Sequence, residues 1–127
     1  MKHILKYKLL ITILSLTAIV PISYAQNVSV QQFWQLQQQQ PHVIIDVRTP
    51  TEFSQGHITS AINIPYQDIA TIVTAYKDKD QPILLYCKSG RRAEIAATTL
   101  QELGYTAVYN GRNYQDLKAT QPHPIPK

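Results

Sequence analysis

The chain has 127 residues, room for one ordinary domain, and a formal net charge of +4. All eight acidic residues lie beyond residue 25, and Lys2, Lys6 and Lys8 supply three of the net charges, leaving +1 for the rest. That balance gives no footprint for nucleic acid or a membrane surface. A single cysteine, Cys87, excludes an internal disulfide, and His42, His57 and His123 are scattered without ligand spacing, so no metal site is expected.

The chain opens on a basic start, Lys2, His3, Lys6 and Lys8. An apolar stretch from Leu9 to Val20 follows, then a break at Pro21 and the small-residue pattern Ser23-Tyr24-Ala25. This reads as a secretory signal peptide over 1–25, cleaved after Ala25. Its apolar core is shorter than the ~20 residues of a membrane span. An exported protein starting at Gln26, with no membrane attachment after cleavage, is the expectation. In an oxidising compartment an idle exposed thiol is a liability, so a lone cysteine there is reactive or used between chains.

Ser29 and Gln32 resemble a capping box, and Val30, Phe33, Trp34 and Leu36 fall on one helical face. Trp34 and Phe33 read as core. Pro41 closes this helix after the polar run Gln37 to Gln40. Val43 to Val47 is a short apolar run of the kind found in buried parallel strands. Thr49-Pro50-Thr51-Glu52 fits a helix start, with Thr49 as N-cap, Pro50 at N1 and Glu52 at N3, and Gly56 keeps that helix short. Ala61 to Ile64 predicts a second strand. Gln67 to Tyr76 predicts a helix with Ile69, Ile72, Val73 and Tyr76 inward.

Ile83 to Tyr86 predicts the strand that delivers Cys87. The segment Lys88-Ser89-Gly90-Arg91-Arg92 follows, then a helix from Ala93 to Leu103 with Ile95, Ala96, Thr99, Leu100 and Leu103 inward and Gly104 at C′. Ala107 to Tyr109 reads as a last strand and Tyr114 to Lys118 as a final helical turn. The Pro-rich tail 121–127 is expected to be extended and flexible. Strands alternating with helices imply an α/β domain with a mainly parallel sheet, whose ligands bind beyond the carboxyl ends of the strands. Cys87 ends one strand and Asp46 and Arg48 end another, so the two ends share a crevice.

The chemistry expected at Cys87 follows from its neighbours. Only a thiolate attacks, and an ordinary thiol is mostly protonated at neutral pH. Lys88, Arg91 and Arg92, with the N–H groups of the following helix, supply the positive potential that favours the charged sulfur. Gly90 permits positive φ and lets backbone amides approach a ligand. The predicted result is a small anion cradle with a nucleophile at its floor.

Asp46-Val47-Arg48, Glu52-Phe53, Gly56-His57-Ile58 and Ala61-Ile62-Asn63-Ile64-Pro65 resemble the first half of a rhodanese domain. Tyr86-Cys87-Lys88-Ser89-Gly90-Arg91-Arg92 resembles the rhodanese active-site loop, and Leu103-Gly104-Tyr105 with Val108 matches the segment after it. With its signal peptide the chain is similar to small, single-domain, periplasmic bacterial rhodaneses. The resemblance implies a rhodanese-like domain over 26–120, with a mainly parallel central sheet of about five strands and helices on both faces. It also implies thiosulfate sulfurtransferase chemistry through a Cys87 persulfide, with no cofactor or metal needed. Lys88, Ser89, Gly90, Arg91 and Arg92 would bind the anionic donor, Asp46 and Arg48 would support the loop, and cyanide or a thiol would accept the sulfur. The alternative is a non-enzymatic periplasmic relay that holds sulfur, or a mixed disulfide, on Cys87 for an acceptor protein.

The related phosphatases and arsenate reductases place an arginine after five residues, because a tetrahedral oxyanion needs a bidentate guanidinium. Here that place is Ala93, and Arg92 comes one residue early. The chain departs from the family at Asn110-Gly111-Arg112-Asn113-Tyr114, where rhodaneses usually carry a paired glycine followed by a tryptophan. Asn113 can tolerate a positive φ, which would preserve the turn; Arg112 is expected to add a cation or crowd the pocket, and Tyr114 or Leu117 to replace the tryptophan.

Overall fold

The computed structural model describes residues 25–39 and 41–123. The signal segment up to residue 24, Gln40 of the polar run, and residues 124–127 of the tail lie outside the described residues. The chain forms a five-stranded sheet, in which β1 is Gln26–Asn27, β2 Val43–Asp46, β3 Ile62–Asn63, β4 Ile83–Cys87 and β5 Val108–Asn113. The strand order is β1-β5-β4-β2-β3, and every pair is parallel.

Helices cover both faces, which is why β2 and β4 are buried along their whole length. Odd-numbered residues of these strands, Val43, Ile45, Ile83, Leu85 and Cys87, pack under α3 (Arg91–Glu102) and a 3₁₀ segment, Tyr66–Thr74. Even-numbered residues, Ile44, Leu84 and Tyr86, pack against the other face with Phe33 and Trp34 of α1 (Val30–Gln39) and Leu117 of α4 (Tyr114–Ala119). Phe53 of the short α2 (Pro50–Gln55) joins that second cluster.

Both predicted caps form. Ser29 and Gln32 exchange hydrogen bonds at 2.9 and 3.2 Å, and Thr49 with Glu52 makes a full capping box ahead of Pro50. Helix α3 ends at Leu103 in a Schellman arrangement around Gly104 at φ 92, with Tyr105 N–H donating to Leu100 O at 3.0 Å.

Several expectations need correction. The segment predicted as a helix over 67–76 winds as a 3₁₀ helix. Its three-residue period stacks Ile69 and Ile72 on the core, and the Thr71 and Thr74 hydroxyls donate to carbonyls three residues back. Helix α3 starts at Arg91 rather than Ala93, and its inward face, while keeping Ala96 and Leu100, is centred on alanines. Ala93, Ala96, Ala97 and Leu100 are buried, while Ile95 and Leu103 are 43% and 37% exposed. The alanine face lets α3 approach the sheet closely. Strand β1 is polar and only two residues long, so nothing local announces it. Strand β5 runs on to Asn113 through a bulge, and Gln121 of the tail hydrogen-bonds Thr59.

Candidate active site

Strand β4 carries Cys87 to the carboxyl end of the sheet, and only Lys88, Ser89 and Gly90 separate it from α3. The Cys87 side chain is fully buried. Gly90 takes φ 100, a left-handed turn that a side chain resists, and donates its N–H to Cys87 Sγ at 2.9 Å. Gly90 is also the N-cap of α3, and its carbonyl accepts the N–H of Glu94 at 2.9 Å. No side chain caps this helix, so its first-turn N–H groups keep their capacity for an anion beside the sulfur. The site is therefore a thiol below a helix N-terminus, under a glycine that turns its amide inward.

The cations divide into two kinds. Lys88 and Arg91 are exposed. Arg92 is not free, contrary to the expectation that all three act together. Its guanidinium clamps Glu52 bidentately, Nη1 to Oε1 at 2.7 Å and Nη2 to Oε2 at 3.1 Å. The Glu52 carboxyl is held down at about 2, first by that hydrogen bond and further by Thr49. Glu52 thus does more than cap α2. It ties the first turn of α2 to the first turn of α3, across 40 residues of sequence. Local patterning carries no signal for this pairing.

Asp46 and Arg48 form a buried unit beside the loop. The Asp46 carboxylate accepts from Arg48 N–H at 2.9 Å, from Nε at 2.9 and 3.0 Å, and from Nη2 at 2.6 Å. Arg48 Nη2 also donates to Gly56 O at 2.7 Å, and its guanidinium lies 4.1 Å from the Tyr114 ring centroid and 5.6 Å from that of Tyr86. Asn63 Nδ2 donates to the carbonyls of Asp46 and Arg48, both at 3.0 Å. Tyr86 accepts the Ile58 N–H at 3.0 Å, and burial raises the proton affinity of its hydroxyl. Neither Asp46 nor Arg48 hydrogen-bonds Cys87, whose side chain packs on the other face of the sheet. They fix the strand end next to the loop.

A cleft of about 330 Å³ opens beside this unit, lined by Arg48, Glu52, Gln55, Gly56, Lys88, Tyr114 and Gln115. Among the described residues no group of three or more His, Cys, Asp or Glu side chains is placed to hold a metal ion.

Two features of the rim differ from the sequence reading. Gly111 is required by packing, since a Cβ there would lie 2.4 Å from Phe33 Cδ2. The positive φ falls on Arg112, at 66°, and not on Asn113, which is extended at −109° and caps α4 by accepting from Gln115 N–H at 2.8 Å. Leu117 fills the core, and Tyr114 stacks on Tyr86. The residue missed from sequence is Asn110, which is buried. It donates from Nδ2 to Gly90 O at 3.2 Å and accepts the Arg112 N–H at 2.8 Å. A buried asparagine in a strand is the signal that could have found it, because buried polar groups need partners.

The rhodanese-like domain profile matches residues 29–113. The chain is 40% identical over 74 residues to thiosulfate sulfurtransferase PspE of Escherichia coli strain K12, covering 58% of this chain and 71% of that protein. It is 36% identical over 70 residues to a sulfurtransferase of Allochromatium vinosum, covering 55% of this chain and 64% of that one. Among solved structures, an E. coli rhodanese determined with anions superimposes with a TM-score of 0.57 at 39% identity, covering 59% of this chain and 89% of that one. The chain belongs to the rhodanese-like domain family.

Proposed function

We propose that this sulfurtransferase takes the outer sulfur of thiosulfate onto Cys87 and hands it to cyanide or a thiol. The observation that carries the reading is the Gly90 N–H donated to Cys87 Sγ at 2.9 Å, at the uncapped start of α3. In the first step the Cys87 thiolate attacks the outer sulfur of thiosulfate. A new S–S bond forms on Cys87, the S–S bond of the donor breaks, and its electron pair leaves with sulfite. In the second step cyanide or a thiolate attacks the terminal persulfide sulfur. Thiocyanate or a new persulfide departs and the Cys87 thiolate returns.

Each step keeps negative charge at the same place, so the chain needs fixed donors rather than a proton shuttle. The Gly90 amide and the first-turn amides of α3 supply them without reorganising. Lys88 and Arg91, exposed at the mouth, attract the dianionic donor. The Arg92–Glu52 clamp and the Asp46–Arg48 unit hold the loop in shape. A periplasmic location, with residues 1–25 removed, belongs to the same proposal and supplies an exported setting for the lone thiol.

The test is steady-state thiocyanate formation from thiosulfate and cyanide, with Cys87→Ser as control and a small thiol as the second acceptor. Repeated turnover that vanishes in Cys87→Ser supports the reading. A protein that stays inert toward thiosulfate with both acceptors overturns the donor assignment. For location, osmotic-shock fractionation and N-terminal sequencing should give a periplasmic protein starting at Gln26, and a cytoplasmic product retaining Met1 would refute it.

A further inference from the structure

Arg112 occupies a backbone conformation that its residue type resists. Its φ of 66° lies in the left-handed region, where glycine is free and a Cβ is crowded. The cause is the bulge in β5. Leu85 pairs with Asn110 and Cys87 with Asn113, so β5 spends one extra residue across this step. Asn110 pins the bulge from inside through its bonds to Arg112 N–H and Gly90 O. Strain of this kind persists where the surroundings over-determine it, and it gathers at functional sites.

The bulge sets the Arg112 stem directly against the active loop. A Cβ built on Gly90 would lie 3.1 Å from Arg112 Cβ and 3.2 Å from Cγ. Gly90 is the residue whose N–H meets the Cys87 sulfur. Arg112 is exposed, and among the described residues its guanidinium is in no hydrogen bond or ion pair. Arg92 is compensated by Glu52, so among the described residues the cations around the loop without an ion pair are Lys88, Arg91 and Arg112.

We propose that Arg112 is a specificity-determining residue of the Cys87 site, holding the oxyanion end of a dianionic sulfur donor above Gly90. This rests on the sulfurtransferase reading and adds to it a residue from β5. Cys87 takes the outer sulfur at the floor of the cradle. The sulfite end then points away from the floor, and the exposed Arg112 side chain starts beside Gly90, within its reach. A planar guanidinium presents paired N–H groups to two such oxygens. The contact favours donors in proportion to charge, so it selects thiosulfate over a singly charged alkanethiosulfonate.

The experiment compares the wild-type protein with Arg112→Gly and Arg112→Lys. Arg112→Gly removes the cation and relieves the backbone, so its melting temperature should equal or exceed that of wild type. For thiosulfate its KM should rise roughly threefold to tenfold, the worth of one solvent-facing charge against a dianion. Its kcat should stay within about twofold, and the KM for methanethiosulfonate should rise less. Arg112→Lys should fall between, keeping the charge without the fork. A second readout needs no sulfur transfer. The rate of Cys87 alkylation by anionic iodoacetate, relative to neutral iodoacetamide, should drop at least about threefold in Arg112→Gly. An unchanged alkylation ratio, or equal KM shifts for both donors, overturns the proposal. If wild type makes no thiocyanate yet the ratio still drops, the thiosulfate reading fails and the anion-holding role of Arg112 stands.

Discussion

Replacing Asp46 with alanine would leave a buried guanidinium without its counter-charge. Arg48 is 5% exposed, and it would lose every hydrogen bond to the carboxylate, including the 2.6 Å contact from Nη2. Removing one member of a buried pair costs about 3–5 kcal/mol. The bond to Gly56 O at 2.7 Å and the Tyr114 ring at 4.1 Å remain and retain about 1 kcal/mol of favourable interaction. The expected loss is therefore roughly 3 kcal/mol, a large part of the ~5–15 kcal/mol that holds a domain together. Urea unfolding followed by Trp34 fluorescence reads it as a midpoint lowered by about 2 M at unchanged slope. The double variant Asp46→Ala/Arg48→Met removes the orphan charge along with its partner and should recover at least about 1 kcal/mol of the loss. A single variant that loses under about 1 kcal/mol, or a double variant less stable than the single, would show that Asp46 does not compensate a buried Arg48 charge. Molecules of Asp46→Ala that remain folded should still load sulfur, because Asp46 does not bond Cys87.

Gly111→Ala puts a methyl group where Phe33 Cδ2 would stand 2.4 Å away, and should cost about 2–3 kcal/mol in thermal unfolding, partly restored by Phe33→Leu. Glu52 has its proton affinity lowered by folding, to about 2. Its contribution is full above the ordinary carboxyl range and is lost as pH falls through about 2. Wild type should exceed Glu52→Gln by about 1 kcal/mol at neutral pH, a value reduced for a pair whose side chains are 25% and 28% exposed. That gap should close between pH 4.5 and 2 in denaturation series, and a gap independent of pH would contradict the Arg92 clamp.

The parts of the fold legible in the sequence are those with local causes. Thr49-Pro50-Thr51-Glu52 announces a capping box because the bonds span three residues, and the buried runs at β2 and β4 announce a two-sided sheet. Cys87 with Gly90 marks the loop for the same reason. What stayed hidden depends on residues far apart. Arg92 looks like a free cation until Glu52 is brought to it from 40 positions away. Ile95 looks inward by hydrophobicity, but α3 packs through its alanines. Residue preference makes Asn113 the residue most tolerant of a positive φ in this turn, whereas the bulge and the Asn110 bond impose it on Arg112.

Intact mass spectrometry detects the Cys87 persulfide directly. Protein mixed with thiosulfate should gain one sulfur, ~32 Da, mapped to the Cys87 peptide, and should lose it on adding cyanide. Cys87→Ser should gain nothing. A gain that survives in Cys87→Ser, or no gain in the wild-type protein, would contradict the account.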